Sequence, residues 1–204
     1  MKPVYKAHPW HGILIGKEAP EIVTTFIEIV PSDTIKYEID KDSGYLKIDR
    51  PQKYSNIIPA LYGFIPQTYC GNRVADLAKE NGAAVTEGDG DPLDICVLSS
   101  HNITSGNIIL QSRPIGGFCL LDKGEADDKI ISVLVGDQIY GQYNDITELP
   151  RAVVERIKHY FLTYKNLPDE PQTCSIAFEY GKEHAHKVIR NSMEDYRDII
   201  FKPF

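Results

Sequence analysis

The hexapeptide DGDPLD at residues 89–94 contains three aspartates, which are close enough in sequence to act together in binding or catalysis. Asp89, Asp91 and Asp94 lie within six positions, with no Lys or Arg among them. Two such anions ~4 Å apart repel by about 4 kcal/mol at an effective dielectric near 20, so a folded chain needs a reason to hold three together. Oxygen ligands of this kind suit hard divalent cations such as Mg²⁺ or Mn²⁺. The alternative is a solvated acidic turn.

A second acidic segment, LLDKGEADDKII at residues 120–131, adds to the metal hypothesis. It carries Asp122, Glu125, Asp127 and Asp128 between two apolar strand patterns. Taken alone, such a segment is typical of a charged hairpin tip. Two acidic loops in one small β-rich chain favour a shared site for several metal ions.

Cations and tyrosines are placed where they could meet phosphate oxygens. Lys36 and Glu38 fall on one face of a predicted strand, and Arg50 ends the next strand. Tyr164 and Lys165 follow a predicted helix, where a Lys also suits the helix dipole. Metals together with Lys, Arg and tyrosine hydroxyls can recognise phosphate. The alternatives are a solvated sheet face and a helix C-terminus.

The composition excludes several classes of protein. The chain has 204 residues and a formal net charge of −7, which opposes a broad nucleic-acid footprint. The four cysteines form no CxxC pair and are expected to be free thiols. No apolar run is long enough for a membrane span or a signal peptide, which predicts a cytoplasmic protein. P-loop, GxGxxG and GxSxG motifs are absent from the sequence.

Alternating and apolar patterns predict many short strands followed by helices. The strands are expected at 24–30, 34–39, 45–50, 94–98, 107–115, 117–121 and 129–135, with an irregular or bent strand within 57–66. The DKDSG turn at 40–44 makes the second and third strands a hairpin, which Pro51 ends. Residues 71–88 are expected to form a surface excursion with one helical turn near 74–80.

The C-terminal part of the chain is predicted to be helical. Apolar residues from Val153 to Tyr164 recur at helical spacing behind a Thr147 N-cap and Pro150, and Pro168 and Pro171 close this helix. A second helix is expected over about 182–198. Its apolar stripe consists of Ala185, Val188, Ile189, Ser192 and Tyr196. Strands first and helices last predict an antiparallel β-barrel or sandwich with packed helices.

These motifs resemble family I soluble inorganic pyrophosphatases. DGDPLD matches that family's signature, D-[small]-D-P-[apolar]-D. The supporting fragments occur in the family's order: IEI (27–29), IKYEIDKDSG (35–44), DRP (49–51), LYGFIP (61–66), D-x₄-D-x-K (122–129) and HYFLTYKNLP (159–168). The resemblance covers roughly residues 20–168. It implies a mainly β fold with flanking α-helices (α+β), built on a five-stranded OB-like closed barrel, in a single domain over residues 1–204.

The resemblance also implies an activity and a set of roles. The implied reaction is hydrolysis of pyrophosphate to two phosphates by in-line attack of a metal-activated water, with several Mg²⁺ ions, or Mn²⁺ or other divalent ions. Asp91 would orient or deprotonate that water. The other implied roles are metal binding by Asp89, Asp94, Asp122 and Asp127, substrate binding by Lys36, Arg50, Tyr62, Lys129, Tyr164 and Lys165, and auxiliary contributions through water or a further metal by Glu28 and Glu38.

The chain departs from the family pattern at three places, and two other functions stay open. Ile58 stands where compact bacterial members carry a tyrosine, Lys123 occupies a position that is often acidic, and the segment 71–88 is longer. Members of this size are often homohexamers, so the resemblance implies a homo-oligomer, with no nucleic-acid or membrane partner. The alternatives are a phosphohydrolase acting on an organic pyrophosphate or nucleotide, and a non-catalytic OB-type oligonucleotide-binding module.

Overall fold

The computed structural model describes residues 6–53, 55–165 and 169–200, and these ranges contain ten β-strands and three α-helices. The strands are β1 (Val23–Ile29), β2 (Ile35–Ile39), β3 (Leu46–Pro51), β4 (Leu61–Phe64), β5 (Glu87–Gly88), β6 (Asp94–Leu98), β7 (Ile108–Asp122), β8 (Glu125–Ala126), β9 (Lys129–Leu134) and β10 (Cys174–Gly181). The helices are α1 (Asn72–Glu80), α2 (Arg151–Thr163) and α3 (Lys182–Ile200). Within these ranges, none of the helices combines the length and apolar character needed to cross a membrane.

Five of the strands form a closed ring of hydrogen-bonded pairs. The ring runs β1–β4–β6–β9–β7 and returns to β1 through a second antiparallel pairing. All of its pairs are antiparallel except β6 with β9, which is parallel. Closure of this kind leaves the ring without a free edge. The predicted five-stranded OB-like fold with flanking helices is confirmed.

The β2–β3 hairpin forms a separate two-stranded sheet, as its alternating sequence predicts. Lys36 lies opposite Arg50 in the antiparallel register, and Pro51 is the last residue of β3. Lys36 and Glu38 contact each other, which confirms that they share a face. The hairpin therefore presents charged side chains from both strands at one surface.

Strand β7 is one continuous strand of 15 residues, although the sequence predicts two strands there. The predicted break lies at Gly116, two residues after Pro114, which cannot donate a ladder hydrogen bond. The register of β7 against β9 shifts between Pro114 and Gly116 instead. This irregularity accommodates the proline without ending the strand. Strand β7 therefore continues and pairs with four strands, β1, β8, β9 and β10.

Residues 71–88 do not form the predicted surface excursion. They contain the nine-residue helix α1, whose Val74, Ala75 and Ala78 are buried in the main apolar cluster together with residues of α3. The segment is polar overall, but its few apolar residues recur at three- and four-residue spacing and cover the core. Helical structure near 74–80 is confirmed, but it spans nine residues instead of a single turn because its apolar residues pack against the core.

Helix α2 occupies the predicted region but begins differently. Thr147 is not its N-cap: it lies in a short 3₁₀ turn, where its backbone N–H donates to Asp145 Oδ1 (3.0 Å). Pro150 directly precedes the first helical residue, and its fixed φ suits that position. Pro168, predicted to end the helix, lies outside the described residues.

The C-terminal helix is confirmed, and a strand before it was not predicted. All five residues of the predicted apolar stripe of α3 are buried. Strand β10 runs directly into α3 and pairs antiparallel with β7. The sequence predicts no element for β10. All four cysteines are free, as expected, and all four are buried.

Candidate active site

The acidic hexapeptide forms a loop that is fixed to the body of the protein by its backbone. Gly90 has a φ of +73°, which a side chain would disfavour. The backbone of Asp91 accepts a hydrogen bond from Cys70 N (2.8 Å), and Gly90 N donates to Cys70 O (3.0 Å). Leu93 N donates to Thr68 Oγ1 (2.9 Å). The loop is therefore held at both ends before β6 begins.

The parallel pairing of β6 and β9 joins the two acidic segments. It places Asp94 opposite Lys129, each the first residue of its strand. Lys129 is only 2% exposed, and its ammonium group bonds to the carboxylates of Asp94 and Asp127. Burial opposes the charged ammonium, but these two carboxylates raise the pKa of Lys129 well above its usual range. The predicted substrate-binding lysine thus lies between two predicted metal ligands.

Asp89 completes a group of crowded carboxylates. Burial, and then the charge of Asp127, raises the pKa of Asp89 well above its ordinary value. Burial also raises the pKa of Asp94, although Lys129 opposes this. Tyr62 donates to Asp94 Oδ2 (2.5 Å), so a predicted substrate-binding tyrosine is attached to the same carboxylate. The three carboxylates of Asp89, Asp94 and Asp127 therefore outnumber the ammonium group of Lys129 beside them.

Asp122, the fourth predicted metal ligand, lies on a second wall of the site. It is the last residue of β7 and accepts from Lys165 Nζ (2.5 Å) and from Cys174 Sγ (3.4 Å). Partial burial opposes ionisation, but these hydrogen bonds and the charge of Lys165 lower the pKa of Asp122. Lys165 Nζ also lies 5.2 Å from the centre of the Tyr164 ring. The end of α2 therefore places Tyr164 and Lys165, two of the predicted substrate-binding residues, at this wall.

The β2–β3 hairpin supplies the remaining predicted cations. Lys36 Nζ bonds to Asp49 Oδ2 (2.9 Å) and lies 3.3 Å from Glu38 Oε2. The Arg50 guanidinium bonds to the same Asp49 carboxylate and lies 6.0 Å from the centre of the Tyr164 ring. The hairpin and the end of α2 therefore meet across the site.

Glu28 is buried beneath the hairpin. It is 7% exposed, and its Oε1 accepts a hydrogen bond from Ile39 N (2.7 Å). Burial, followed by the charge of Asp94, raises the pKa of Glu28 to about 8. Glu28 also lines a cleft of about 100 Å³. The other charged and phenolic residues of this cleft are Lys36, Glu38, Lys41, Tyr62, Asp91 and Asp94.

The structure thus brings the predicted site residues into one region with two walls, and it adds three that the sequence did not single out. Lys41 contacts Asp91, Asp49 bridges Lys36 and Arg50, and Cys174 donates to Asp122. The hairpin register could have indicated Asp49, because Lys36 lies opposite Arg50. Lys41 and Cys174 carry no such signal, since their contacts depend on tertiary packing.

The departures from the family pattern have structural counterparts. Ile58 is 1% exposed and packs in the apolar cluster that contains Phe161, so this position contributes packing instead of a hydroxyl. Lys123 is exposed at the turn between β7 and β8, with a φ of +53°. Its side chain therefore belongs to the hairpin tip.

The chemistry of these residues fits divalent metal ions. Among the described residues, no three His, Cys, Asp or Glu side chains converge on a point as a preformed metal site. The carboxylates are instead arranged around ammonium groups: Lys129 at Asp94 and Asp127, and Lys165 at Asp122. Asp89 faces the like charge of Asp127, which a cation would relieve. All the donors are carboxylate oxygens, the ligands that Mg²⁺ prefers.

Comparison with known proteins gives a consistent result over nearly the whole chain. The inorganic pyrophosphatase family model matches residues 25–197. The chain is 50% identical over 203 residues to the inorganic pyrophosphatase of Chlamydia muridarum, with 97% of each covered. It is 48% identical over 195 residues to that of Chlamydia caviae, covering 93% of this chain and 90% of the relative. The crystal structure of inorganic pyrophosphatase from Thermus thermophilus superposes with a TM-score of 0.78 at 30% identity, covering 94% of this chain and 99% of that one.

Proposed function

The chain belongs to the inorganic pyrophosphatase family and hydrolyses pyrophosphate to two phosphates, and we propose that Asp91 serves as the base of an in-line attack by water. The observation that carries this proposal is that Asp91 shares one cleft with the carboxylates of Glu28 and Asp94 and with the hairpin lysines Lys36 and Lys41. Asp91 is half-exposed there, so it can accept a proton from a water at the opening of the cleft.

The reaction balances without a covalent enzyme intermediate. The water oxygen forms a bond to one phosphorus while the bond from that phosphorus to the bridging oxygen breaks. The proton of the water passes to the Asp91 carboxylate, and the bridging oxygen leaves with the second phosphate. Lys36, Arg50 and Lys165 come from different elements and would bind the phosphoryl oxygens, where negative charge shifts outward in the transition state.

The phenols and the buried lysine would complete the substrate site. Tyr62 and Tyr164 would donate to phosphoryl oxygens from opposite walls. Lys129, now bonded to Asp94 and Asp127, would turn part of its hydrogen bonding to the substrate. Glu28 and Glu38 line the cleft and would act through water or a further cation.

Members of this family are metal-dependent, and we propose Mg²⁺ as the ion, held by Asp89, Asp94, Asp122 and Asp127. When bound, divalent cations neutralise the charge of pyrophosphate and lower the pKa of the attacking water. Mn²⁺ or other divalent ions are expected to substitute, because they accept the same oxygen ligands.

The test is phosphate release from pyrophosphate with and without Mg²⁺. Asp91→Asn should lower kcat by about 10²-fold or more, the range expected for a positioned base, while the folded state is kept. Wild-type turnover by a folded Asp91→Asn protein would contradict the assigned role. Nucleoside triphosphates serve as competing substrates, and faster phosphate release from them would indicate an organic substrate instead.

Assembly, domain organisation and location remain predictions. If the protein is a homohexamer, sedimentation should show a species of six chains. If residues 1–204 form a single domain, limited proteolysis should yield no stable fragment. The absence of nucleic-acid binding is tested by a mobility shift with single-stranded DNA at low salt. The absence of a membrane partner and the cytoplasmic location are tested by cell fractionation.

A further inference from the structure

Lys41 contacts the proposed base although the two residues lie 50 positions apart. Its ammonium group bonds to Asp91 Oδ1 from the turn between β2 and β3. Lys41 also lines the cleft, beside Glu38. Lys41 thus links the hairpin to the acidic loop.

The turn that carries Lys41 is specifically built. Asp40 Oδ1 accepts hydrogen bonds from Ser43 N (2.9 Å) and Ser43 Oγ (2.6 Å). Gly44 N donates to Asp40 O (2.8 Å), and Gly44 has a φ of +70°, in the left-handed region. An Asp side chain that bonds to the backbone ahead of it fixes a turn locally. The direction in which Lys41 leaves the turn is therefore set by its neighbours.

The N-terminal segment packs against the outer side of the same turn. His8 Nε2 lies 3.2 Å from the Lys41 carbonyl oxygen. A Cβ at Gly44 would come within 2.7 Å of both His8 and Pro9, so this close approach requires glycine. The turn is thus held between the N-terminal segment and the acidic loop, which limits the positions that Lys41 can reach.

We propose that Lys41 is a positioning residue that acts through Asp91. Its ammonium holds Oδ1 and thereby turns Oδ2 toward the attacking water. The proposal rests on the assigned role of Asp91. A carboxylate on a half-exposed loop has rotational freedom, and fixing one oxygen reduces the misorientation that a base would otherwise have to overcome.

The ion pair is too exposed to matter much for folding. The side chains of Lys41 and Asp91 are 54% and 47% exposed. Pairs of this kind contribute little to stability because water and salt screen them. A change at Lys41 therefore leaves the fold intact, and an effect on turnover can be separated from an effect on stability.

The experiment measures kcat and KM for Lys41→Met, Lys41→Arg, Asp91→Asn and the Lys41→Met/Asp91→Asn double variant. Lys41→Met should lower kcat by about tenfold with KM within about threefold, and Lys41→Arg should keep kcat within about threefold of wild type. In the Asp91→Asn background, Lys41→Met should change kcat by less than about twofold, because the partner through which it acts is gone. Lys79→Met, at an exposed pair on α1, is the control and should match wild type.

Each opposite outcome overturns the proposal in a different way. Unchanged kcat in Lys41→Met would make the contact a simple surface pair. A tenfold rise in KM with kcat kept would make Lys41 a phosphate ligand, and equal losses in both backgrounds would show that it does not act through Asp91. Wild-type kcat in Asp91→Asn would instead reject the assigned base. Mg²⁺ affinity, measured by calorimetry without substrate, should not weaken in Lys41→Met, and a loss would indicate a role in the metal site.

Discussion

Glu28 is a carboxyl group whose ionisation is opposed by its surroundings. Its carboxyl group is buried, and its neighbours include the acidic Asp94 and Glu38 together with the cationic Lys36. Burial and the charge of Asp94 raise the pKa of Glu28 to about 8, against a usual value near 4.5. A carboxyl whose pKa is raised by folding holds its proton more tightly in the folded state. The folded protein therefore loses stability as the pH rises from about 4.5 to 8.

Glu28→Gln should remove this pH dependence. We expect the metal-free variant and wild type to have similar unfolding free energies at pH 5, where Glu28 is protonated in the folded protein. At pH 8.5 the variant should be more stable, because Gln keeps the hydrogen-bonding shape without the buried charge. Urea unfolding of both proteins at several pH values measures the difference. A constant difference across this range would show that Glu28 titrates normally.

Individual site residues were predictable to different degrees. The sequence alone indicates Asp89, Asp91 and Asp94 as site residues, because three like charges in six positions need an explanation. Lys129 was indicated only by the family resemblance, yet the structure buries it between two carboxylates. Lys41 could not be found, because its contact with Asp91 depends on where a turn is folded and on no local spacing.

At the scale of secondary structure, α1 and α3 are joined by one buried carboxylate. Asp195 of α3 accepts hydrogen bonds from the backbone N–H groups of Gly71 (3.1 Å), Arg73 (3.1 Å) and Val74 (3.2 Å). It satisfies N–H groups at the start of α1 that the helix itself leaves without partners. The helix has no side-chain cap at Gly71, so α3 supplies one from a distance. The same segment holds the acidic loop through Cys70.

Asp195→Ala should destabilise the protein by about 1–2 kcal/mol, the cost of losing an N-cap acceptor. Asp198→Ala is the matched control, because Asp198 lies one turn further along α3 and its exposed carboxylate bonds to the guanidinium of Arg73. It should have a much smaller effect, since exposed pairs are screened. Urea denaturation compares the two. Equal losses would mean that the Arg73 ion pairs, and not the cap, join the helices.

The elements that the sequence missed share a physical cause. Alternation and turn residues predicted the β2–β3 hairpin and strands β6 and β9, because those signals are local. The helix α1 is polar on average, and only its packing against α3 makes a full helix favourable. Strand β10 exists because β7 offers it an edge, which no local pattern announces. The wrong N-cap has a similar origin: Asp145 upstream captures the N–H of Thr147.

At the scale of the whole molecule, the site stores electrostatic repulsion that bound cations would release. Burial raises the pKa of Asp89 and Asp94, and both carry the added influence of Asp127. The fold keeps these carboxylates close together through backbone pairing of β6 with β9, not through attraction between them. Anything that binds the folded state alone stabilises it, by about 2.7 kcal/mol at a ligand concentration of 100 Kd.

Mg²⁺ should therefore raise Tm by roughly 5–10 °C at saturating concentration, since about 1 kcal/mol shifts Tm by 2–4 °C in a chain of this size. Asp89→Asn should have two opposite effects. It should raise the Tm of the metal-free protein, because one of two repelling buried carboxylates is gone, and it should remove most of the increase caused by Mg²⁺, because a ligand is lost. Asp76→Asn, at an exposed position of α1, is the control and should leave both values unchanged. Calorimetric scans with and without Mg²⁺ at one pH decide the matter. An Asp89→Asn protein that keeps the full Mg²⁺ increase would place the stabilising cations elsewhere, whereas a fall in its metal-free Tm would show that Asp89 is held by attraction.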